Sequence, residues 1–334
     1  MTLMEMANGM KGVFCMTHAP DFDGISSAAL IVHYMKAPES HLFFSYPNVE
    51  DLRDGMGALL SAGPEGSLII FTDVSVNDDA VPYILEAIGR LKQSGNSVAW
   101  IDHHPWSEHA AKELEGACDF LLWGEGDECA AEKAISALGA SDGYAAEIKR
   151  LAHITDFNLP LPKGEEELIL DMVRAITYLK NRNDMTGSLR RMAGLVSRGD
   201  FRNQFILDAA QAYIRESKQE IERLKQDCSL HEVNGYRIGI GYARNIQSTQ
   251  ACAIIEEQLH TDIEAFINTE DYKLSLRSRK GVDCSAIASA LGGGGHPQAS
   301  GAVLEIKDDG EIQKGISAIL KAAASSLHNG KGGR

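Results

Sequence analysis

The 334-residue sequence predicts an α/β protein: a doubly wound parallel sheet in an N-terminal domain, a helical connector, and a smaller mixed α/β C-terminal domain. Three observations carry that prediction. Short apolar runs alternate with amphipathic helical stretches through the first half, the pattern of βαβ units. Most of those runs end abruptly in an acid or a histidine. Near residue 233 both the order of elements and the charge balance change.

The first apolar run, Gly12 to Thr17, reads as a buried strand. It enters the polar segment His18-Ala-Pro-Asp21-Phe-Asp23-Gly24, and a helix is expected from Ser26. Asp23 or Ser26 could serve merely as a helix cap there, but a strand, a polar turn and a helix start together also favour an anion. His41 to Tyr46 is the second strand, Leu52 to Leu60 a helix, and Ser67 to Thr72 a strongly apolar third strand that ends in Asp73. A helix over 78–93 leads to the fourth strand, Val98 to Ile101, which stops at Asp102-His103-His104. In an open parallel sheet, ligands sit at the carboxyl ends of the strands, so all these acids and imidazoles are expected at one edge. Helices follow over Asp127–Leu138 and Asp142–Thr155, the latter running into His153-Ile-Thr-Asp156, where Asp156 is a further candidate and His153 reads as a core or supporting histidine. Another amphipathic helix spans 165–181, and a long charged helix spans 201–227.

From 233 onward the expected elements are a strand (Tyr236–Ala243), a helix (Thr249–Leu259) and a hairpin (Asp262–Asn268 with Tyr272–Arg279). A helix over Val282–Leu291, a glycine run, a strand over Gly301–Ile306 and a helix over Glu311–Leu327 complete it. The resulting division is a catalytic domain over 1–190, a helical connector over 191–232, a substrate domain over 233–327 and a disordered tail over 328–334.

Composition narrows the function. The net charge of −15 argues against an extended duplex nucleic-acid surface, which needs a basic face. That charge is uneven: residues 233–334 hold 11 Lys and Arg against 11 Asp and Glu, leaving 21 basic and 36 acidic residues in 1–232. An anionic substrate would therefore need metal ions in the first half and local cations in the second. Cysteines 15, 118, 129, 228, 252 and 284 form no Cys-x-x-Cys pair, so neither a disulfide framework nor a thiolate zinc site is indicated. No apolar run reaches the ~18–20 residues of a membrane span, and the N-terminus lacks a secretory pattern. A cytoplasmic protein with no membrane partner is expected.

His18, Asp21, Asp23, Asp73, Asp102, His103, His104 and Asp156 make a mixed nitrogen and oxygen donor set that suits Mn²⁺ rather than structural zinc. A pair of ions about 3.5–4 Å apart activates water and clamps a phosphoryl group. In the second half, Gly292, Gly293, Gly294 and Gly295 allow backbone N–H groups to approach a phosphate. His296 would add a donor, and Arg277 and Arg279, alternating along a strand, would both face one side and grip phosphate oxygens. The run could otherwise be a linker, and the arginines an exposed strand face. No interleaved aromatic residues mark a long single-strand stacking track.

In these clusters, taken in order, and in Gly292-Gly-Gly-Gly-His296-Pro-Gln-Ala-Ser-Gly301, the sequence resembles the DHH superfamily of phosphoesterases. The likeness is to the subgroup with a C-terminal DHHA1 domain, and it covers nearly the whole chain. The resemblance implies that His18, Asp21 and Asp73 hold one ion and that Asp23, Asp73, His103 and Asp156 hold the other, with Asp73 bridging. It further implies that Asp102 orients His103 and that His104 contacts the scissile phosphate. One spacing departs: nano-RNase-like members have four residues from the first histidine to the first aspartate, against three from His18 to Asp21. The activity so implied is hydrolysis of phosphodiester or phosphomonoester bonds in short single-stranded oligonucleotides or small nucleotides. Two Mn²⁺ ions, or Mg²⁺ or Co²⁺, would assist, in a monomer or homodimer. Alternatives are a cyclic-dinucleotide phosphodiesterase, a RecJ-like single-strand exonuclease and an exopolyphosphatase. A catalytically silent nucleotide-binding module is opposed by the intact Asp and His set.

Overall fold

Five parallel strands form the first sheet: β1 (Val13–His18), β2 (Leu42–Ser45), β3 (Leu68–Thr72), β4 (Ser97–Asp102) and β5 (Phe120–Trp123), in the order β2-β1-β3-β4-β5. This computed structural model describes residues 1–18, 21–45, 49–124, 126–157, 159–279 and 281–327, with backbone alone at 49–51 and 296. The expected tail over 328–334 lies outside the described residues. The chain divides into two units, Met1–Gln211 and Ala212–Arg334.

The first unit also contains helices α1 (Leu3–Ala7), α2 (Phe22–Met35), α3 (Val49–Ser61), α4 (Val81–Gln93), α5 (Glu108–Ala117), α6 (Ala130–Leu138), α7 (Gly143–Asp156), α8 (Glu166–Leu179) and α9 (Met185–Ser197). Alternation along the strands divides its core into two layers. Leu68 and Ile70 pack with Ala99 and Ile101 against α2, α6, α7, α8 and α9. Ile69 and Phe71 pack with Val98 and Trp100 against α3, α4 and α5. Helices therefore cover both faces, as a doubly wound sheet requires. The sequence reading stops at four strands because β5 is only four residues long, half-buried throughout and at the sheet edge. It also passes over α5 and α9.

Helix α10 (Gln204–Asp227) contains the division between the units. The second unit has a six-stranded mixed sheet of β6 (Ser229–Val233), β7 (Tyr236–Ala243), β8 (Ile263–Asn268), β9 (Lys273–Ser278), β10 (Gly294–His296) and β11 (Ala299–Val303). Its order is β10-β11-β9-β8-β7-β6, with β7 and β8 parallel and the other neighbours antiparallel. Helices α11 (Ser248–Leu259), α12 (Ser285–Ala290) and α13 (Ile312–Ser326) complete it. The expected β8–β9 hairpin is present. The final strand begins at Ala299 rather than Gly301, because it pairs with part of the glycine run. No described helix is long and apolar enough to cross a membrane.

A candidate metal centre at the switch point of the parallel sheet

Strand order places the site. In β2-β1-β3-β4-β5, the chain leaves β1 towards one side and returns on the other, so a crevice opens beyond the carboxyl ends of β1 and β3. His18 is the last residue of β1, Asp73 follows β3, and Asp102 ends β4.

Asp21 is the N-cap of α2, accepting from the Gly24 N–H at 3.0 Å. The cap is thus neither Asp23 nor Ser26, and α2 starts four residues before the expected Ser26. Thr17 Oγ1 donates to the Gly24 carbonyl at 3.0 Å, drawing the helix start onto β1. A Cβ at position 24 would lie 2.1 Å from the His18 carbonyl oxygen and 3.2 Å from Asp73 Oδ2. Glycine is required for this approach, which is what brings Asp21, Asp23 and His18 together. His18 Nε2 lies 3.5 Å from Asp21 Oδ2.

Asp23 points inward and accepts from the Ala130 and Ala131 N–H groups at 2.7 and 2.8 Å, at the amino end of α6. Helix ends favour negative charge. Burial, reinforced by the nearby Asp156 and Asp21, nevertheless pushes the Asp23 carboxyl up to about 8. Asp73 has φ +56, the left-handed region, which costs a non-glycine residue on the order of 1–2 kcal/mol. Strain of this kind gathers at functional sites. Its amide continues the sheet by donating to the Ile101 carbonyl at 3.0 Å. Its Oδ2 is buried without a hydrogen-bond partner, and burial, then Asp23, then Asp21 hold its carboxyl well above the usual range.

His103 stands at the centre. Its Nε2 is 3.8 Å from Asp23 Oδ2 and 3.6 Å from Asp73 Oδ1, and its Nδ1 is 3.8 Å from Asp156 Oδ2. Burial, then the neighbouring His104, lowers its proton affinity and favours the neutral imidazole that a metal needs. Asp156, at the end of α7, is pushed up to about 6 by burial and by Asp21.

Asp102 makes its imidazole contact with His104, where the resemblance implies His103. Asp102 Oδ1 lies 2.8 Å from His104 Nδ1, and Oδ2 accepts from Trp106 Nε1 at 2.7 Å. Asp102 is fully buried, so with both oxygens engaged it is placed to support rather than to ligate. Burial disfavours the His104 imidazolium, but the hydrogen bond and charge of Asp102 outweigh it and raise its proton affinity.

Among the described residues, the ion pairs made by Asp21, Asp23, Asp73 and Asp156 all run to imidazoles. Two groups bring one donor atom from each member within 4.8 Å: Asp23, His103 and Asp156, and Asp73, His103 and His104. Four carboxylates this close, one with an orphaned buried oxygen, destabilise one another unless protonated or neutralised by cations. The donor set fits hard to borderline divalent ions. His104 belongs to the second group, whereas the sequence reading kept it for substrate.

Sequence reasoning missed Glu132. This buried carboxylate accepts from the Cys129 N–H at 3.0 Å, lies 2.8 Å from His153 Nδ1 and pairs with Lys149 at 3.3 Å. It ties the start of α6, which holds Asp23, to α7, which carries Asp156. The spacing of Cys129 and Glu132 as a helix-start pair is the signal that could have found it. His153 thus lies against Glu132.

In the second unit, register brings the remaining candidates together. His296 pairs with Ala299, Ala299 with Arg277, and Arg277 with Glu264, so the glycine-run strand and Arg277 share one row across β10, β11, β9 and β8. Nothing is described of the His296 side chain. The glycine run is neither a linker nor simply a loop: Gly294 and Gly295 belong to an edge hairpin. A Cβ at Gly293 would meet the Gly301 carbonyl oxygen at 2.0 Å, and one at Gly295, where φ is +133, would meet Ser300 Cα at 2.6 Å. Gly292 and Gly294 have open space at that position. Arg279 lies one residue past β9, and its guanidinium is 2.8 Å from Asp262 Oδ1. Arg277 Nη1 donates to the Leu276 carbonyl.

Residues 12–153 match the DHH family N-terminal domain and residues 239–333 match the DHHA1 domain. The chain belongs to the DHH superfamily of phosphoesterases, with a C-terminal DHHA1 domain. Among particular proteins, it is 24% identical over 242 residues to "Oligoribonuclease NrnB" of Bacillus subtilis (strain 168), a match that spans 70% of this chain but only 58% of that protein. RecJ in complex with Mn²⁺ from Thermus thermophilus shares the fold with a TM-score of 0.59 at 12% identity, over 98% of this chain and 54% of that one. An exopolyphosphatase-related protein from Bacteroides fragilis does so with a TM-score of 0.51 at 14% identity, over 96% and 94% of the two chains.

Proposed function

We propose that this chain is a metal-dependent hydrolase that cleaves phosphoester bonds in short single-stranded oligonucleotides or small nucleotides. The observation that carries the reading is the convergence of Asp21, Asp23, Asp73, Asp156, His18 and His103, with the buried Asp73 Oδ2 lacking a partner. The oligoribonuclease relative supports RNA as a substrate class.

In this reading His18, Asp21 and Asp73 hold one ion, and Asp23, Asp73, His103 and Asp156 hold the other. Two ions bound there, Mn²⁺ with Mg²⁺ or Co²⁺ as substitutes, supply an acidified water and positive charge for phosphate oxygens. Asp23 is held in place by the α6 amides, which fix the direction its carboxylate would present to an ion. His104 Nδ1 is engaged by Asp102 Oδ1 at 2.8 Å, which leaves Nε2 to meet the scissile phosphate. The metal-binding part corresponds to residues 1–190. Residues 233–327 would bind substrate phosphate through Arg277, Arg279, the glycine run Gly292 to Gly295, and His296. The acidic first half and the absence of an aromatic track in the sequence favour short substrates.

Turnover of a panel with Mn²⁺ tests this: a 3′-phosphorylated adenosine 5′-phosphate, a dinucleotide, a long RNA, a long single-stranded DNA, a cyclic dinucleotide and polyphosphate. The reading expects the first two to be hydrolysed fastest. Undiminished rates on the long strands, or turnover of polyphosphate alone, would overturn it.

A further inference from the structure

All three tryptophans of the chain direct their indole N–H groups at the catalytic edge of the sheet. Trp100 Nε1 donates to the Val74 carbonyl at 3.1 Å, one residue past the strained Asp73. Trp106 Nε1 donates to Asp102 Oδ2 at 2.7 Å, and Trp123 Nε1 donates to the His104 carbonyl at 2.9 Å. The rings are packed in series. Phe71 stacks on Trp100 with centroids 4.4 Å apart, Trp100 meets Trp106 edge-on at 6.1 Å, and Trp106 stacks on Trp123 at 5.1 Å. Trp100 is fully buried and Trp106 nearly so.

This arrangement has a clear physical consequence. An imidazole held by one carboxylate contact can still swing with that carboxylate. Here the second oxygen of Asp102 is pinned by an indole whose ring is itself fixed between two others, and the main chain of His104 is pinned separately by Trp123. The indole N–H is a donor only and cannot reverse its role, so it fixes Asp102 Oδ2 while Oδ1 lies 2.8 Å from His104 Nδ1.

We propose that Trp106, supported by Trp100 and Trp123, is a positioning residue for the hydrolytic site, acting through Asp102 to fix the direction of the His104 ring. The inference rests on the functional reading above. None of the three tryptophans contacts substrate in it.

The test crosses Trp106→Phe with Asp102→Asn on the full chain. Phenylalanine keeps a stacking ring and removes the donor. Trp106→Phe should lower kcat on a dinucleotide with Mn²⁺ by about 10-fold, the scale of losing a supporting hydrogen bond behind a functional group. KM and the number of Mn²⁺ ions bound should be unchanged. In the Asp102→Asn background the same change should lower kcat less than about 2-fold, because the link is already broken. Equal losses in both backgrounds would make Trp106 a packing residue and overturn the proposal.

A second measurement needs neither activity nor a tryptophan variant. The metal-free protein should show three indole N–H resonances by NMR. Asp102→Asn should move the Trp106 resonance most, while those of Trp100 and Trp123 move less. An unmoved Trp106 resonance would overturn the proposal even if the protein hydrolyses nothing, and a moved one in an inactive protein would defeat only the functional reading.

Discussion

The two units solve opposite electrostatic problems. The first gathers carboxylates that repel one another: Asp23 and Asp73 are buried, Asp156 is partly so, and their ion pairs run only to imidazoles among the described residues. The second spreads its charge evenly and pairs it locally, as in Arg279 with Asp262 and Arg244 with Asp309. A parallel sheet with a switch point concentrates strand ends in one crevice. A mixed sheet with an edge hairpin instead offers a row of residues across neighbouring strands. The first architecture suits a place where charge must be cancelled by something that binds; the second suits a surface that holds without reacting.

The largest expected effect breaks the first side of that comparison. Asp73→Asn removes charge that both proposed ion sites share, and kcat should fall at least about 10²-fold with loss of Mn²⁺ binding. Stoichiometry by calorimetry and turnover by chromatography check it; near wild-type activity with two ions bound would remove Asp73 from the bridging role.

A smaller effect sharpens the second side. A charge-assisted hydrogen bond from arginine to phosphate contributes roughly 1.5–3 kcal/mol, so Arg277→Ala should raise KM for a dinucleotide by about 10- to 100-fold. A small chromogenic phosphodiester, with nothing for this unit to hold, should be hardly affected. Arg279 is exposed and already engaged with Asp262, so Arg279→Ala should raise KM less than Arg277→Ala does. The reverse ranking would shift the grip to the end of β9.

The smallest effect concerns the protein without metal. Burial raises the Asp23 carboxyl to about 8 and that of Asp156 to about 6, and lifts Asp73 in the same direction. The folded state therefore holds protons that the unfolded state releases, and stability should fall as pH rises from about 4 to about 8. Above that range Asp23 and Asp156 must be charged when folded. Calorimetry on the metal-free protein should show Tm falling by roughly 5 °C or more across this window. Saturating Mn²⁺ should flatten the slope; a metal-free Tm that rises with pH would show that these carboxylates are not buried together.

Much of the first unit is legible from the sequence alone, since an apolar run ending in Asp73 or in Asp102-His103-His104 is a local pattern. Strand, terminus and acid lie within a few residues of one another, so the fold class and the candidate donors can be read off. What a donor touches is not local. Asp23 is held by amides 107 and 108 residues away, and the choice of Asp102 for His104 over its other neighbour depends on the turn that Trp106 and Trp123 fix. Gly293 and Gly295 owe their identity to a hairpin partner that no spacing announces, and β5 gains its strand geometry only from pairing with β4. The composition of the site was therefore written in the chain, because periodicity and strand ends are short-range properties. The hydrogen-bond partners, the direction of each ring and the burial that shifts each carboxyl were decided only by the tertiary structure, which brings distant backbone groups within reach and excludes water from between them.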